Sequence, residues 1–436
     1  MTELLRLRED RRNGICRGMY SVCSAHPLVL RAAMEQSLAD GTPVLIEATC
    51  NQVDQFGGYT GMTPVAFTEF VRTLALEVGF PEDRLILGGD HLGPNPWRGE
   101  SAQSAMLKAE DLVDAYVAAG FQKIHLDASM HCADDPSILA DTTIAERAAR
   151  LCLRAEQAYQ RRGSGSAPVY VIGTEVPTPG GTINEAAGLQ PTSAADVIRT
   201  LEISQAAFRK NGLEAAWERV IALVVQPGVE FGDTKVHGYD RQLAQPLVQA
   251  IATRLPWMYE AHSTDYQTPL ALQQLVQDRF AMLKVGPWLT FALREALFSL
   301  EDIVRDLNLA DRNRPLARLR EVLDFAMRSN PVHWQDHHRG SSREQALARL
   351  FSFSDRSRYY WNHPEVCAEV AFLLETTQDP IPLQLLSQHA PAALGPVMEG
   401  SIQNNGQSLV IYAIRRILSQ YSAACRPRTH PAKVAS

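Results

Sequence analysis

The sequence predicts a (β/α)₈ barrel followed by an α-helical extension. Three observations carry that expectation. Eight strand-like apolar runs fall at 18–25, 43–49, 84–90, 123–128, 168–176, 220–226, 257–261 and 281–286. Stretches with apolar residues at helical spacing separate most of them. Each run ends on or beside a polar residue: His26, Glu47, Asp90 with His91, Asp127 with Ser129, Glu175, Gln226, His262 and Lys284. A closed parallel barrel collects the carboxyl ends of its strands on one face, and that face holds the active site.

The elements can be justified in order. PVLIEAT at 43–49 is continuously apolar and β-branched, as a strand covered on both faces should be. Residues 64–79 form an amphipathic helix whose apolar set is Val65, Phe67, Phe70, Val71, Leu74 and Leu76. RLILGGD follows as a strand. Residues 101–120 are alanine-rich, with Met106, Leu107, Leu112, Val113, Tyr116 and Val117 at helical spacing. KIHLDA is the next strand, 142–161 the next helix, and RRGSGSA its exit loop. Strands alternating with helices imply a parallel sheet. From residue 290 the pattern changes to helices alone, at 290–308, 314–328, 342–351, 364–376 and 407–420. The expected division is therefore a barrel over 1–289, a helical extension packed on it over 290–424, and a frayed polar tail over 425–436.

Composition narrows the function. At 436 residues the chain exceeds one minimal barrel, for which about 250 is typical. A net charge of −7 offers no basic field for nucleic acid or an anionic membrane. The seven cysteines are odd in number and form no CxxC pair, which suits reduced thiols in the cytoplasm. The first residues, MTELLRLREDRRNG, lack the apolar core of a signal peptide, and no run of about 18 apolar residues suggests a membrane span.

The sharpest local feature is GGDHLG at 88–93. Aspartate beside histidine at a strand end suits metal-assisted acid–base chemistry. His237 in VHGYD and His262 in EAHSTD occupy strand-end positions of the same face. Three histidines with open positions make a catalytic, zinc-type site. Glu47 and Asn51 either line the pocket or order the loop after the second strand. Asn95 and Trp97, after the third strand, either contact a sugar or pack their own loop. The glycine-rich stretch 57–61 reads as a lid. His333, His337 and His338 lie off the strand ends and read as a polar helix connection.

The order of motifs resembles the class II, metal-dependent ketose-bisphosphate aldolases. The likeness rests on Asp90-His91, Asp127-Ala128-Ser129, Glu175 with Gly180-Gly181, Val236-His237-Gly238 and His262-Ser263. It implies that His91, His237 and His262 hold a divalent metal, most plausibly zinc. It also implies Asp90 as the acid/base and Glu175 as a further carboxylate of the site. A closer likeness spans nearly the whole chain. HLGPNPW (91–97), GTEVPTPGG (173–181), QPGVEF (226–231), EAHSTDYQ (260–267), LKVGPWLTFALREAL (283–297) and FSFSDRSRYYW (351–361) resemble the GatZ/KbaZ family. That family groups accessory subunits of tagatose-bisphosphate aldolase with D-tagatose 6-phosphate 4-epimerases.

The chain departs from the aldolase pattern where phosphate would bind. His262-Ser263-Thr264-Asp265 has no glycine for close backbone approach, and Lys284-Val285-Gly286-Pro287 replaces the aldolase Asn-x-Asp. Candidate phosphate contacts are Ser263, Lys284, the Gly286 backbone, Arg356 and Arg358; the two arginines read equally as a solvated helix start capped by Ser354. Asp127, Ser129 and Gln226 complete the expected substrate contacts. The resemblance implies epimerisation of a phosphorylated ketohexose, D-tagatose 6-phosphate to D-fructose 6-phosphate. The alternatives are a non-catalytic partner of a class II aldolase subunit and direct aldolase activity. A homo-oligomer is an open expectation.

Overall fold

Runs such as VLIEAT, VIALVV and FAMLKV are buried along their whole length. Such a strand needs helices on one face and side chains on the other. The chain meets that need by closing eight parallel strands into a barrel. They are β1 (Met19–Val22), β2 (Val44–Thr49), β3 (Leu85–Leu92), β4 (Lys123–Leu126), β5 (Val169–Ile172), β6 (Val220–Val225), β7 (Met258–Ala261) and β8 (Phe280–Val285). All eight fall within the runs expected from sequence or within one or two residues of them. The computed structural model describes residues 2–173, 189–252, 254, 256–308 and 316–429. Neighbouring strands pair in chain order, and β8 closes on β1 through pairs such as Lys284 with Ser21.

The outer helices start where the sequence supplies a hydroxyl cap. Thr63, Ser101, Ser193 and Thr268 each accept a backbone N–H of the first turn, and Pro64 and Pro269 follow two of them. Val65, Leu76 and Leu107, placed by periodicity on apolar faces, are exposed instead. The remaining residues of those two sets are buried or half-buried, so the apolar stripe is narrower than the pattern suggests.

The barrel interior is filled in layers. Leu45, Ile86, Val169, Val171, Met258 and Met282 form an apolar cluster toward the amino ends of the strands. The helix Glu3–Arg12 contributes Leu4 and Leu7 to this cluster and so closes that end. Above it the filling becomes charged, as described below.

Beyond β8 the helix Pro287–Leu307 leaves the barrel, so residue 289 lies inside a continuous helix. The long helix Gly406–Cys425 packs against Pro27–Asp40, Pro269–Gln277 and Pro287–Leu307. Tyr421 donates its hydroxyl hydrogen to the Thr264 carbonyl at 2.7 Å. Helices Leu383–His389 and Pro391–Met398 were not expected from the sequence. Arg428–Thr429, within the stretch read as a frayed tail, pairs antiparallel with Ile15–Cys16. All seven cysteines are free thiols. Among the described residues no helix is long and apolar enough to cross a membrane.

Gly93 marks the tightest approach. A Cβ there would lie 1.6 Å from the Asp127 carbonyl oxygen, whereas Gly99 has nothing within 4 Å. Gly93→Ala should lower the thermal midpoint by several degrees or block folding, at a cost of roughly 1–3 kcal/mol or more. Gly99→Ala should leave the midpoint unchanged, and thermal unfolding followed by circular dichroism compares the two.

Candidate metal centre and active site

Adjacent residues on a regular strand point to opposite faces. Asp90 and His91 escape that rule because the pairing of β3 with β4 shifts register between Gly89 and Leu92. Such irregularities re-aim side chains beside active sites. His91 takes a left-handed backbone with φ 48°, and Ser263 does the same with φ 52°. Backbone strain of this kind, of order 1–3 kcal/mol per residue, clusters at functional sites.

The result is a tight group at the carboxyl end of the barrel. Asp90, His91, His125 and His262 each offer a ligand atom within 4.8 Å of the others, and all four are buried. The ring centroids of His91 lie 5.0 Å from His125 and 4.8 Å from His262. Asp127 Oδ2 lies 2.8 Å from His91 Nδ1, which leaves His91 Nε2 facing the group. A carboxylate on one imidazole nitrogen with the other nitrogen free is the usual support of a metal-ligating histidine. Burial pushes the His262 imidazole down to about 3, so it stays neutral with a lone pair to give. His125 Nε2 lies 3.2 Å from the Gly173 carbonyl; as its donor it leaves Nδ1 as a lone pair 3.1 Å from Asp90 Oδ1. That Nδ1 also accepts the His91 backbone N–H at 3.2 Å, a bond that ligation of a cation would displace.

Directly beneath lies a layer of buried charge. Lys123 Nζ is 2.7 Å from Glu47 Oε1 and 2.7 Å from Glu260 Oε2. Lys284 Nζ contacts Glu47 and lies 2.8 Å from Asp90 Oδ1 and 3.5 Å from Glu260 Oε1. Burial alone would raise the Asp90 carboxyl, but the Lys284 ammonium and the histidines hold it well below the usual carboxylate range. Burial would lower the Lys284 amine, but Asp90, Glu260 and Glu47 hold it well above its ordinary value. Four carboxylates (Glu47, Asp90, Asp127 and Glu260) thus face two ammonium groups (Lys123 and Lys284). The surplus negative charge and the three imidazoles fit a divalent cation. Asp90, already engaged by Lys284, is placed better as a base than as a ligand.

The structure treats the expected site residues unevenly. His237 sits on the hairpin strand Val236–His237, paired with Glu230–Phe231, half-buried and outside this group. His125 stands as the third imidazole instead. Glu175, with Gly180 and Gly181, lies outside the described residues. Glu47 belongs to the charged layer. Lys284 is held by carboxylates, and the Gly286 N–H donates to Asp265 Oδ1 at 3.0 Å, so neither is free for phosphate. Ser129 donates to Asp127 at 2.7 Å, and Gln226 Oε1 accepts the N–H groups of Gly228 and Val229. Asn51 and Ser263 line the cavity with Asp90, His91, His262 and Lys284.

The roof of that cavity comes from the C-terminal extension. Arg358 and Tyr359 line it, whereas Arg356 is 4 % exposed and stands behind them. They belong to the short 3₁₀ turn Arg356–Tyr359. Arg356 and Ser357 are buried and no side chain caps the turn, so the solvated, Ser354-capped helix start is not what forms; Ser354 donates to Asp233 at 2.6 Å. Tyr59, from the glycine-rich stretch 57–61, also lines the cavity and meets the Tyr359 ring at 4.8 Å. A Cβ on Gly58, which has φ 54°, would lie 2.4 Å from the Gln52 carbonyl oxygen.

Lys123, His125 and Glu260 went unread, yet a signal existed. Lys123, His125 and Asp127 alternate along KIHLDA, and Glu260 and His262 alternate along EAH, so each set faces inward.

The match to a family is extensive. A model described as D-tagatose-1,6-bisphosphate aldolase subunit GatZ/KbaZ-like matches residues 4–426. The chain belongs to the GatZ/KbaZ-like family. A crystal structure described as a probable tagatose 6 phosphate kinase from Sinorhizobium meliloti 1021 is 47% identical. The alignment covers 94% of this chain and 100% of that one, with a TM-score of 0.86. The YdjI aldolase from Escherichia coli K12 aligns at 12% identity over 69% of this chain and 87% of that one, TM-score 0.43. Fructose-bisphosphate aldolase from Campylobacter jejuni aligns at 12% identity over 97% and 94%, TM-score 0.45. Those two values are too low to carry an argument about this GatZ/KbaZ-like chain.

The ligand set is separable by mutation. His125→Ala should weaken divalent-metal affinity by about 10²-fold, and His237→Ala should leave it within a factor of a few. Competition with a chromophoric chelator measures both; the reverse order would return the third position to His237.

Proposed function

We propose that this protein is a metal-dependent 4-epimerase acting on D-tagatose 6-phosphate to form D-fructose 6-phosphate. One observation supports this reading above the others. A single chain clusters three imidazoles at the carboxyl end of its barrel, and two of them, His91 and His262, line one cavity with an ionised carboxylate and a guanidinium. A subunit that only stabilises another protein has no use for such a group, whose burial costs several kcal/mol per ion before pairing offsets it.

His91, His125 and His262 would hold a divalent ion, with zinc the natural choice for imidazole ligands. The ion supplies a Lewis acid for the C2 carbonyl of the ketose. Asp90, kept ionised by Lys284, takes the proton from the C4 hydroxyl. The C3–C4 bond opens, and its electron pair moves onto the C2–C3 fragment as an enediolate. The aldehyde fragment turns over, and re-addition forms the C4 epimer. Arg358 and Ser263 are the cavity groups best placed for the phosphate, since Lys284 and the Gly286 N–H are already engaged. The name of the 47% identical structure would suggest phosphoryl transfer. Among the described residues the cavity is built on imidazoles and carboxylates, and its close-packed glycines serve side-chain and backbone approach.

The deciding test is the purified, metal-loaded protein alone with D-tagatose 6-phosphate. Fructose 6-phosphate should appear, and in D₂O it should carry no deuterium at C4, because bond cleavage leaves that hydrogen on carbon. Deuterium at C4 would replace cleavage by direct deprotonation. No conversion, with a class II aldolase co-purifying, would favour the accessory-subunit reading.

Asp90→Asn keeps the shape but cannot accept a proton. Turnover should fall about 10²-fold or more while bound metal, read by elemental analysis, stays stoichiometric. Turnover near the wild-type value would move the base elsewhere.

A further inference from the structure

Inversion at C4 by cleavage and re-addition poses a proton problem. Once the aldehyde has turned over, its oxygen no longer faces the group that deprotonated it. A second proton carrier must meet the oxygen in its new position. Asp90 belongs to the barrel wall. Across the cavity, the roof offers Tyr359.

Its setting is unusual for a packing tyrosine. Arg356 Nη1 lies 3.1 Å and Arg358 Nη2 3.0 Å from the Tyr359 hydroxyl, so both guanidinium groups converge on one oxygen. Arg358 Nη1 donates to the backbone carbonyls of Ser354 and Asp355, and Arg356 meets His337. Neither arginine pairs with a carboxylate among the described ion pairs. The ring is fixed by His333, stacked at 4.5 Å and 11°, and by Tyr59 at its edge. The turn is anchored in turn. Asp355, fully buried at φ 41°, binds Thr290 and lies 2.5 Å from Arg294 Nη1, both on the helix leaving β8.

We propose that Tyr359 is the second acid–base residue of this site, giving a proton to the C4 oxygen on re-addition where Asp90 takes it on cleavage. This rests on the epimerase reading above. In one direction the C4 hydroxyl proton passes to Asp90 as C3–C4 breaks. Then C3 of the enediolate bonds to the turned aldehyde carbon, and the C4 oxygen takes the Tyr359 proton. Solvent returns the Asp90 proton to the phenolate, so nothing is oxidised or reduced. In the reverse direction the two residues exchange roles.

The charges around the ring support this assignment. Burial would raise the phenol, but Arg358 and Arg356 outweigh it and hold it below the ordinary tyrosine value. The other groups facing it do not oppose them: burial pushes the Tyr59 phenol above its usual range and keeps the His333 and His337 rings neutral. The acids acting on the two arginines have partners elsewhere, Asp355 with Arg294 and Asp233 with His338 and Ser354, and burial raises the Asp265 carboxyl, which also faces Arg358, to about 6.

Tyr359→Phe in the metal-loaded protein tests the assignment. Epimerisation should fall about 10²-fold or more. Cleavage of the epimer handled by Asp90 should persist, read as glyceraldehyde 3-phosphate trapped by a dehydrogenase. Wild-type turnover should decline at alkaline pH as the phenol ionises, and the variant should lack that limb. Arg356→Gln removes one positive charge, so it should move the limb to higher pH. An ultraviolet titration without substrate should show one phenol ionising below the rest, absent from Tyr359→Phe. An active wild type with Tyr359→Phe at normal turnover would overturn the proposal, as would equal loss of cleavage and inversion with an unchanged alkaline limb. An inactive wild type would instead overturn the epimerase reading beneath it.

Discussion

The layer of buried charge across the barrel is the constraint on which the rest of the site depends. Glu47, Lys123, Glu260 and Lys284 come from four different strands and are at most 5 % exposed. They pair with one another, and the layer joins the histidine group above it through Lys284 with Asp90 and Glu260 with His262, so removing one member leaves a poorly compensated ion in a low-dielectric interior. The layer also dictates the strand beside it. A Cβ on Gly88 would lie 2.8 Å from Glu47 Cγ, so the strand bearing Asp90 must run bare of side chain at that level. An aliphatic layer would fill the same space without ionic partners. What the charged layer adds is a fixed ammonium under Asp90, which keeps that carboxylate ionised in a place where burial would otherwise neutralise it.

The helical extension is as much a part of the site as the barrel. It reaches the cavity through one fully buried ion pair, Arg294 with Asp355, between the helix after β8 and the turn bearing Arg358 and Tyr359. The glycine-rich loop after β2 then packs against that turn. Asn362 donates to the Tyr59 carbonyl at 2.9 Å. Wall and roof are therefore coupled through β8, the strand that also carries Lys284. A division of the chain at residue 289 separates groups that act on one cavity.

The barrel was legible because its strands are buried on both faces, and that produces continuous apolar runs that few other structures require. What was missed has local causes. Leu4 and Leu7 sit among charged residues in ELLRLREDRR, so no apolar periodicity marks the helix that closes the barrel. The helices at 383–389 and 391–398 are short, and prolines at 382, 391 and 396 obscure their periodicity. Within the site, Asp90 and His91 were legible as neighbours in a glycine-flanked motif. His125 was hidden inside a strand, where only the period of two reveals it, and the aldolase likeness directed attention to His237. The burial of Arg356 depends on partners such as His337, nineteen residues away in sequence, and no pattern local to SDRSRYY shows it.

The pairing of Ile15–Cys16 with Arg428–Thr429 bears on how such a chain reaches its native state. It joins segments more than four hundred residues apart, beside the apolar plug formed by Leu4 and Leu7. Loop closure over that span adds an entropy that grows only as the logarithm of its length, so the two-stranded ribbon is affordable once the barrel exists. It cannot form sooner. On the ribosome every strand emerges before the segment that seals the ribbon, and the roof of the cavity emerges after the wall. The order of synthesis makes the barrel a scaffold that waits for the roof of its own cavity, completed by the last quarter of the chain.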